Sequence, residues 1–335
     1  MRPIPDRMTR RDALARLAGL AAVASAATSR GEDEGAERPP ARIYVTVPGR
    51  RGEAPPEVAG VLAVDPKDGT WVRVASAEYS IPRVSPDGRK VLCTRQRLAN
   101  GQPLGLHVCD ARGDDPPRKI ADGPLRHYSW SPDGMRIFCV ERRDDGGSRT
   151  FRMNADGNGR DELPIPATET IVACSRDGRW FATLSARGAE GPLSTKLEVN
   201  LMHPDGSGVR RLLDAGESRV VLGFSPDGRD LLFTRYDRDE NGIIRSARLE
   251  MIGVDGKDWR IFLKPRGKAY PIQAAWSPDG KEIAVNDYED DGKAGERRTL
   301  DTKITTRIEI VSADGQRSRR LDVLDGIPFG LWDWR

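Results

Sequence analysis

Apolar residues in this chain fall into short runs separated by polar, glycine-rich breaks. Ile43-Tyr44-Val45-Thr46-Val47, Val61-Leu62-Ala63-Val64, Ile137-Phe138-Cys139-Val140 and Leu231-Leu232-Phe233 are examples. Runs of this length, rich in β-branched and aromatic residues and bounded by turn formers, predict β-strands rather than helices. Several are nearly continuous in their apolarity instead of alternating, which predicts strands covered on both faces.

The breaks are of two kinds, and both repeat. One reads Val84-Ser85-Pro86-Asp87-Gly88, Trp130-Ser131-Pro132-Asp133-Gly134, Cys174-Ser175-Arg176-Asp177-Gly178, Phe224-Ser225-Pro226-Asp227-Gly228 and Trp276-Ser277-Pro278-Asp279-Gly280, with glycines 46, 44, 50 and 52 residues apart. Proline pre-sets φ at the second turn position, aspartate accepts from nearby amides, and glycine takes the φ > 0 position that closes the reversal. The other break interleaves with it at Asp68-Gly69, Arg112-Gly113, Asp156-Gly157, Asp205-Gly206, Asp255-Gly256 and Asp314-Gly315. Two reversals per period, flanked by apolar runs, give four short strands per period, and a period of this length marks a solenoid, propeller or array.

The two ends complete the count. Three strands precede the first serine turn, and one strand, Pro328 to Trp334, follows Gly315. Trp332 lies 17 residues after Gly315, as Trp130 lies 17 after Gly113, which sets Trp332 in the register of the repeat tryptophan. Five whole repeats and one assembled from both ends predict an all-β, six-bladed β-propeller over residues 41–335, closed by pairing of the C-terminal strand with the N-terminal blade. The charged segments Val209 to Leu212, Trp259 to Ile261 and Arg317 to Leu321 are predicted outer edges, guarded against pairing with other chains.

Residues 1–26 read differently. A basic start with the arginine pair Arg10-Arg11, a short weakly apolar run and Ala24-Ser25-Ala26 describe an export signal. It resembles the twin-arginine type, with Ala13 in place of the usual bulky residue. The run is short for a membrane span, and no cysteine follows until Cys93, so neither stable membrane insertion after cleavage nor a lipid anchor is expected. Residues 27–40, rich in Glu, Gly and Pro, read as a disordered tether. A periplasmic or otherwise extracytoplasmic location follows as an expectation.

Composition then adjusts the picture. Among 335 residues there are 35 glycines and 24 prolines, while aromatics make up 6%, as a turn-rich β chain requires. The formal charge of +3 is carried by the first 26 residues, where five arginines face two aspartates. The rest is near neutral, so nothing points to nucleic acid.

The W-S-P-D-G turn at Trp276 to Gly280 leads into an apolar strand through Ile283. With the D-G turn at Met153 to Gly157 and the following Arg319-Arg320-Leu321, it resembles the TolB-type propeller repeat. The resemblance covers residues 41 to 335 and implies the propeller fold and a habit of binding protein partners on its face and in its central channel. TolB proteins also carry an N-terminal α/β domain, and here only the short segment before residue 41 stands in that place.

No G-x-S-x-G occurs, and His107, His127 and His203 show no metal-ligand spacing. His107 and His203 are expected as strand-end surface residues. Tyr79, Arg126, His127, Glu169, Arg219 and Tyr270 fall near the start of the innermost strand of their repeats and are predicted to rim the channel, where a mixed polar and aromatic surface suits a ligand. Asp237, Asp239 and Asn241 match the start of a calcium loop, and Asp287, Glu289 and Asp291 repeat the spacing in the next blade. Arg248 at the twelfth position excludes an EF-hand, leaving a weak calcium site or solvated acidic hairpins. The turn aspartates need only their turn role. The cysteines read as packing thiols, with a Cys93–Cys109 bridge open to an exported protein.

Two functions stand side by side. One is a non-catalytic exported propeller, monomeric, that binds a protein, peptide or cell-surface polymer on its channel face. The other is a lyase- or hydrolase-type propeller enzyme acting on an extracytoplasmic carbohydrate with a metal in the channel. The scarcity of histidines favours the first.

Overall fold

The computed structural model describes residues 39–49, 54–96, 103–123, 125–143, 147–185, 197–214, 218–240, 244–266, 269–290, 304–324, 327 and 329–335. They all belong to the compact unit Arg38–Arg335. The stretch read as an export signal, 1–26, and the stretch read as a tether, up to residue 38, lie outside the described residues. Among the described residues no helix is long and apolar enough to cross a membrane.

Blade I holds β1 (Ile43–Val47), β2 (Gly60–Val64) and β3 (Trp71–Ala75). Blade II is β4 (Tyr79–Val84), β5 (Lys90–Gln96), β6 (Pro103–Asp110) and β7 (Arg118–Ala121), and blade III is β8 (Leu125–Trp130), β9 (Arg136–Arg142), β10 (Ser148–Asn154) and β11 (Asp161–Glu162). Blade IV comprises β12 (Glu169–Cys174), β13 (Phe181–Ser185), β14 (Glu198–Met202) and β15 (Arg210–Leu213). Blade V comprises β16 (Ser218–Phe224), β17 (Asp230–Arg238), β18 (Ile244–Gly253) and β19 (Arg260–Leu263). Blade VI is β20 (Tyr270–Trp276), β21 (Glu282–Asp290), β22 (Ile304–Ser312) and β23 (Ser318–Leu321), after which β24 (Gly330–Trp334) returns to blade I. Each blade is a four-stranded antiparallel sheet, and the order β24-β1-β2-β3 closes the ring as expected; four strands rather than three precede the first serine turn, because β4 already belongs to blade II. The charged edges predicted from sequence are the outermost strands β15, β19 and β23.

The register of closure differs from the expectation by two residues. Trp334, not Trp332, pairs with Ile43, as Trp130 pairs with Ile137 and Trp276 with Ile283. Trp334 is 3% exposed and Trp332 half-buried. Counting from Gly315 fails because the outer strand and its connection back to the centre vary in length between repeats, whereas pairing across the sheet does not.

The serine turn is a closed hydrogen-bond unit. In blade III the Ser131 amide donates to Arg136 O (2.8 Å), the Gly134 amide to Ser131 O (2.9 Å), and the Arg136 amide returns to Ser131 Oγ (2.9 Å). Ser131 Oγ and the Met135 amide both donate to Asp133 Oδ1, at 2.5 and 2.9 Å. These bonds hold the Asp133 carboxyl below the usual carboxylate range. The same partners recur at Ser85, Ser175, Ser225 and Ser277. Successive turns pack on one another, so a Cβ at Gly134 would meet Pro86 Cδ at 3.5 Å. At Gly88 the neighbour is Pro39 Cγ, at 3.2 Å, so Pro39 occupies the place a turn proline of blade I would take.

The core lies in the seams between blades. Val91, Cys93 and Cys109 of blade II pack on Tyr44, Val61 and Ala63 of blade I, and Leu231 and Phe233 of blade V on Val199 and Leu201 of blade IV. Both faces of most blades are covered, which accounts for the near-continuous apolar runs.

Candidate channel-face binding site

The six innermost strands, β4, β8, β12, β16, β20 and β24, stand side by side around the axis, and every one carries a register shift of one extra residue. A bulge breaks the ladder and re-aims the extra side chain. The extra residues fall at Ile81-Pro82, Arg126, Val172, Leu222, Ile272 and Trp332. At Ile81 the backbone takes φ 57°, a costly conformation for a β-branched residue, and the Ile81 carbonyl accepts from Tyr128 Oη of the next blade. Ile272 O likewise accepts from Thr234 Oγ1 (3.1 Å) and Tyr236 Oη (3.3 Å). The bulges are thus fixed by neighbouring blades.

The wall they form has two unlike halves. Blades V and VI present the half-buried Ile272 and Val220, which is 46% exposed although it sits on an innermost strand, while the bulge residues Val172 and Leu222 pack on the seam cores of blades IV–V and V–VI. Blades I to III carry Trp332, Arg83, Arg126 and His127 beside the apolar bulge pair Ile81-Pro82, of which Ile81 packs on the core between blades II and III. The Arg83 guanidinium lies 5.6 Å from the Trp332 ring centroid and donates to Trp332 O (3.3 Å) and Pro82 O (3.1 Å). His127 is pushed down to about 4, first by burial and then by the charges of Arg83 and Arg126, so its imidazole is neutral at pH 7. Arg126 is exposed, and neither it nor Arg83 meets a carboxylate among the described residues.

The predicted rim is therefore only partly assembled. Arg126 and His127 stand together on the wall. Tyr79 (7% exposed) and Glu169 (1% exposed) are turned into seams instead. The Tyr79 ring meets His107 edge-on at 5.2 Å, and Glu169 accepts from Thr183 Oγ1 (2.6 Å) and Asn200 Nδ2 (3.2 Å). The first residue of an innermost strand faces the preceding blade, so starting a strand near the axis does not suffice to open onto it. Arg219 leans outward over Trp259 (5.7 Å) and donates to Asp214 O, and the half-buried Tyr270 packs on Tyr288 at 5.5 Å. His107 is buried, contrary to the surface expectation, while His203 is exposed and stacks on Trp180.

The acidic hairpins are engaged by arginines. Asp237 accepts from Arg248 Nη1 at 3.0 and 3.2 Å and from Ser246 Oγ at 2.8 Å, and Asp239 accepts from Arg245 Nε at 2.9 Å. Arg248 also donates to the buried Glu250 (2.6 Å), whose other oxygen accepts from Trp259 Nε1 (2.9 Å). Glu289 is bridged to Arg307 (2.9 Å). Burial and the nearby Glu309 raise Asp287 to about 6. Asn241 and Asp291 lie outside the described residues. Among the described residues no three His, Cys, Asp or Glu side chains stand close enough to share a metal ion. All four cysteines are free thiols, so the Cys93–Cys109 bridge is absent, and burial pushes Cys139 and Cys174 up to about 12.

Sequence reasoning missed Arg83, whose place between a bulge and a serine turn marks it only once the bulge is known. Arg176 was visible as the residue replacing the turn proline of blade IV. Its guanidinium donates to Pro278 O in the serine turn of blade VI at 2.7 Å, tying the turns of two non-adjacent blades.

No protein-family model matches the chain. An uncharacterized protein of Agrobacterium fabrum strain C58 is 26% identical over 218 residues, which is 61% of this chain and 68% of that protein. Among solved structures, a putative TolB from Agrobacterium tumefaciens aligns with a TM-score of 0.57 at 18% identity, covering 84% of this chain and 88% of that one. TolB from Acinetobacter baumannii gives 0.61 at 16% identity, covering 88% and 66%. With the six blades and their closure, these likenesses identify the fold of the chain as that of the TolB-like six-bladed β-propellers.

Proposed function

We propose that the protein is a non-catalytic, exported binding module that takes a protein or peptide partner on its channel wall. The single observation behind this reading is the pairing on the innermost strands of accessible aliphatic residues, Val220 and Ile272 of blades V and VI, with the Arg83–Trp332 contact and the exposed Arg126 of blades I to III. Aromatic and Arg side chains beside exposed aliphatic ones are the composition of partner-binding centres. An extracytoplasmic location fits the likeness to TolB proteins and the basic, weakly apolar start of the sequence. Calcium enters this reading only at the acidic hairpins, as a weak ligand competing with their arginines.

A photocrosslinking amino acid at Val220 on the wall, compared with one at Met135 on the turn end (68% exposed), tests the assignment in intact cells. Protein adducts from the Val220 position and none from Met135 are expected. Adducts from Met135 alone would place the partner on the wrong end. Release of unsaturated ends from polygalacturonate by the purified protein would favour the enzyme instead.

A further inference from the structure

Resting on that reading, we infer that Arg83, Arg126, His127 and Trp332 form a carboxylate-binding subsite, and that the partner enters the channel as an extended acidic peptide segment. Two guanidiniums on adjacent innermost strands lack a carboxylate partner among the described residues, while arginines elsewhere, such as Arg149, Arg152, Arg245 and Arg248, have one. An arginine pair left without an acid among the described residues is suited to receive an acid supplied from outside.

The positions are held, not incidental. Arg83 is anchored by two backbone carbonyls and stacked near Trp332, and it follows the strained Ile81 by two residues. Strain at a non-glycine residue persists where surrounding structure over-determines it, and such sites cluster where ligands bind. Arg126 is the extra residue of its own bulge. His127 between them is held neutral, so it can accept or donate one hydrogen bond without adding charge.

The opposite half selects the polymer. Val220 and Ile272 offer hydrocarbon surface, which suits the alternate side chains of an extended peptide. A uronate polymer, equally anionic, needs polar partners for its hydroxyls on both sides.

The test uses the purified full chain and a fluorescein-labelled hexapeptide alternating Leu and Glu, its Leu-Gln counterpart, and an oligogalacturonate of similar length, read by anisotropy at low salt. Expected are binding of the acidic peptide, at least tenfold weaker binding by Arg126→Ala and by Arg83→Ala, and no change for Arg245→Ala, whose side chain serves Asp239. Arg126 is exposed, so that variant folds even if Arg83→Ala does not. His127 should titrate at higher pH with the acidic peptide bound, observed by NMR.

If the Leu-Gln peptide binds as tightly and both arginine variants are silent, the carboxylate subsite is wrong while peptide binding in the channel survives. Binding of the oligogalacturonate alone overturns the peptide assignment. No binding of any probe, together with no adducts from Val220, removes both readings.

Discussion

Blade I and the other five blades reach the same four-stranded sheet by different routes. In blades II to VI the innermost strand runs into the next through a serine turn that satisfies its own polar groups. Blade I has no such turn, and β24 joins β1 by pairing alone, ending in reciprocal Arg42–Arg335 backbone bonds. What replaces the covalent link comes from both neighbours. Asp333 Oδ2 accepts from the Val84 amide of blade II (2.9 Å), and Gln273 Oε1 of blade VI accepts from the Leu331 amide (2.9 Å). The difference teaches that closure rests on bonds across the seams, so the closing strand is as much a part of blades II and VI as of its own sheet. It also places Trp332, the aromatic member of the proposed site, on the one innermost strand without a turn.

The comparison breaks most readily at Trp334. Trp334→Ala should cost about 3 to 5 kcal/mol in urea denaturation, whereas Trp332→Ala, at a half-buried position, should cost about 1 kcal/mol. The reverse order would restore the register expected from counting and remove Trp332 from the wall.

A smaller effect separates two glycine turns of the covalently linked blades. Gly113 has φ 79° and a Cβ there would lie 2.4 Å from Arg73 O of blade I, while Gly256 has φ 86° and open space. Gly113→Ala should cost about 2 to 4 kcal/mol, from strain plus collision, and Gly256→Ala about 1 kcal/mol, from strain alone. Equal thermal shifts would show that the seam with blade I yields.

The smallest effect is a pH dependence set within the linked blades. Blade VI carries Asp287 at the strand position where blade V carries Arg235, facing Arg307 and Arg248 respectively. Asp287 is raised to about 6, so its contribution is intact below about pH 4 and is lost as pH rises through 6. Asp287→Asn should therefore stabilise the protein by on the order of 1 to 2 kcal/mol at pH 7.5 and leave it unchanged near pH 4. His127, depressed to about 4, acts oppositely, and its contribution is lost as pH falls from about 6.5 toward 4. Urea midpoints across this range decide both signs.

Most of the architecture was legible because its signal is repeated. Turn chemistry at Ser131-Pro132-Asp133-Gly134 is local, so each copy could be read without knowing the fold, and the six blades followed from the repeat. The site was not legible in the same way. Whether Tyr79 or Arg83 opens onto the axis depends on a bulge, and a one-residue shift moves a side chain from seam to wall. Glu169 shows the same limit, since a carboxylate at a strand start looks exposed until Thr183 and Asn200 are placed across from it. Likewise, the acids at Asp237 and Asp239 resembled a cation loop because their partners, Arg248 and Arg245, lie on the returning strand.

Native-state hydrogen exchange of the amides of β24 and β1 tests closure most directly. The account predicts that they exchange together, with protection equal to that of β8 to β10, because opening the closing strand undoes the seams on both sides. Independent, weakly protected exchange of β24 would contradict it, leaving an open ring whose ends do not share a blade.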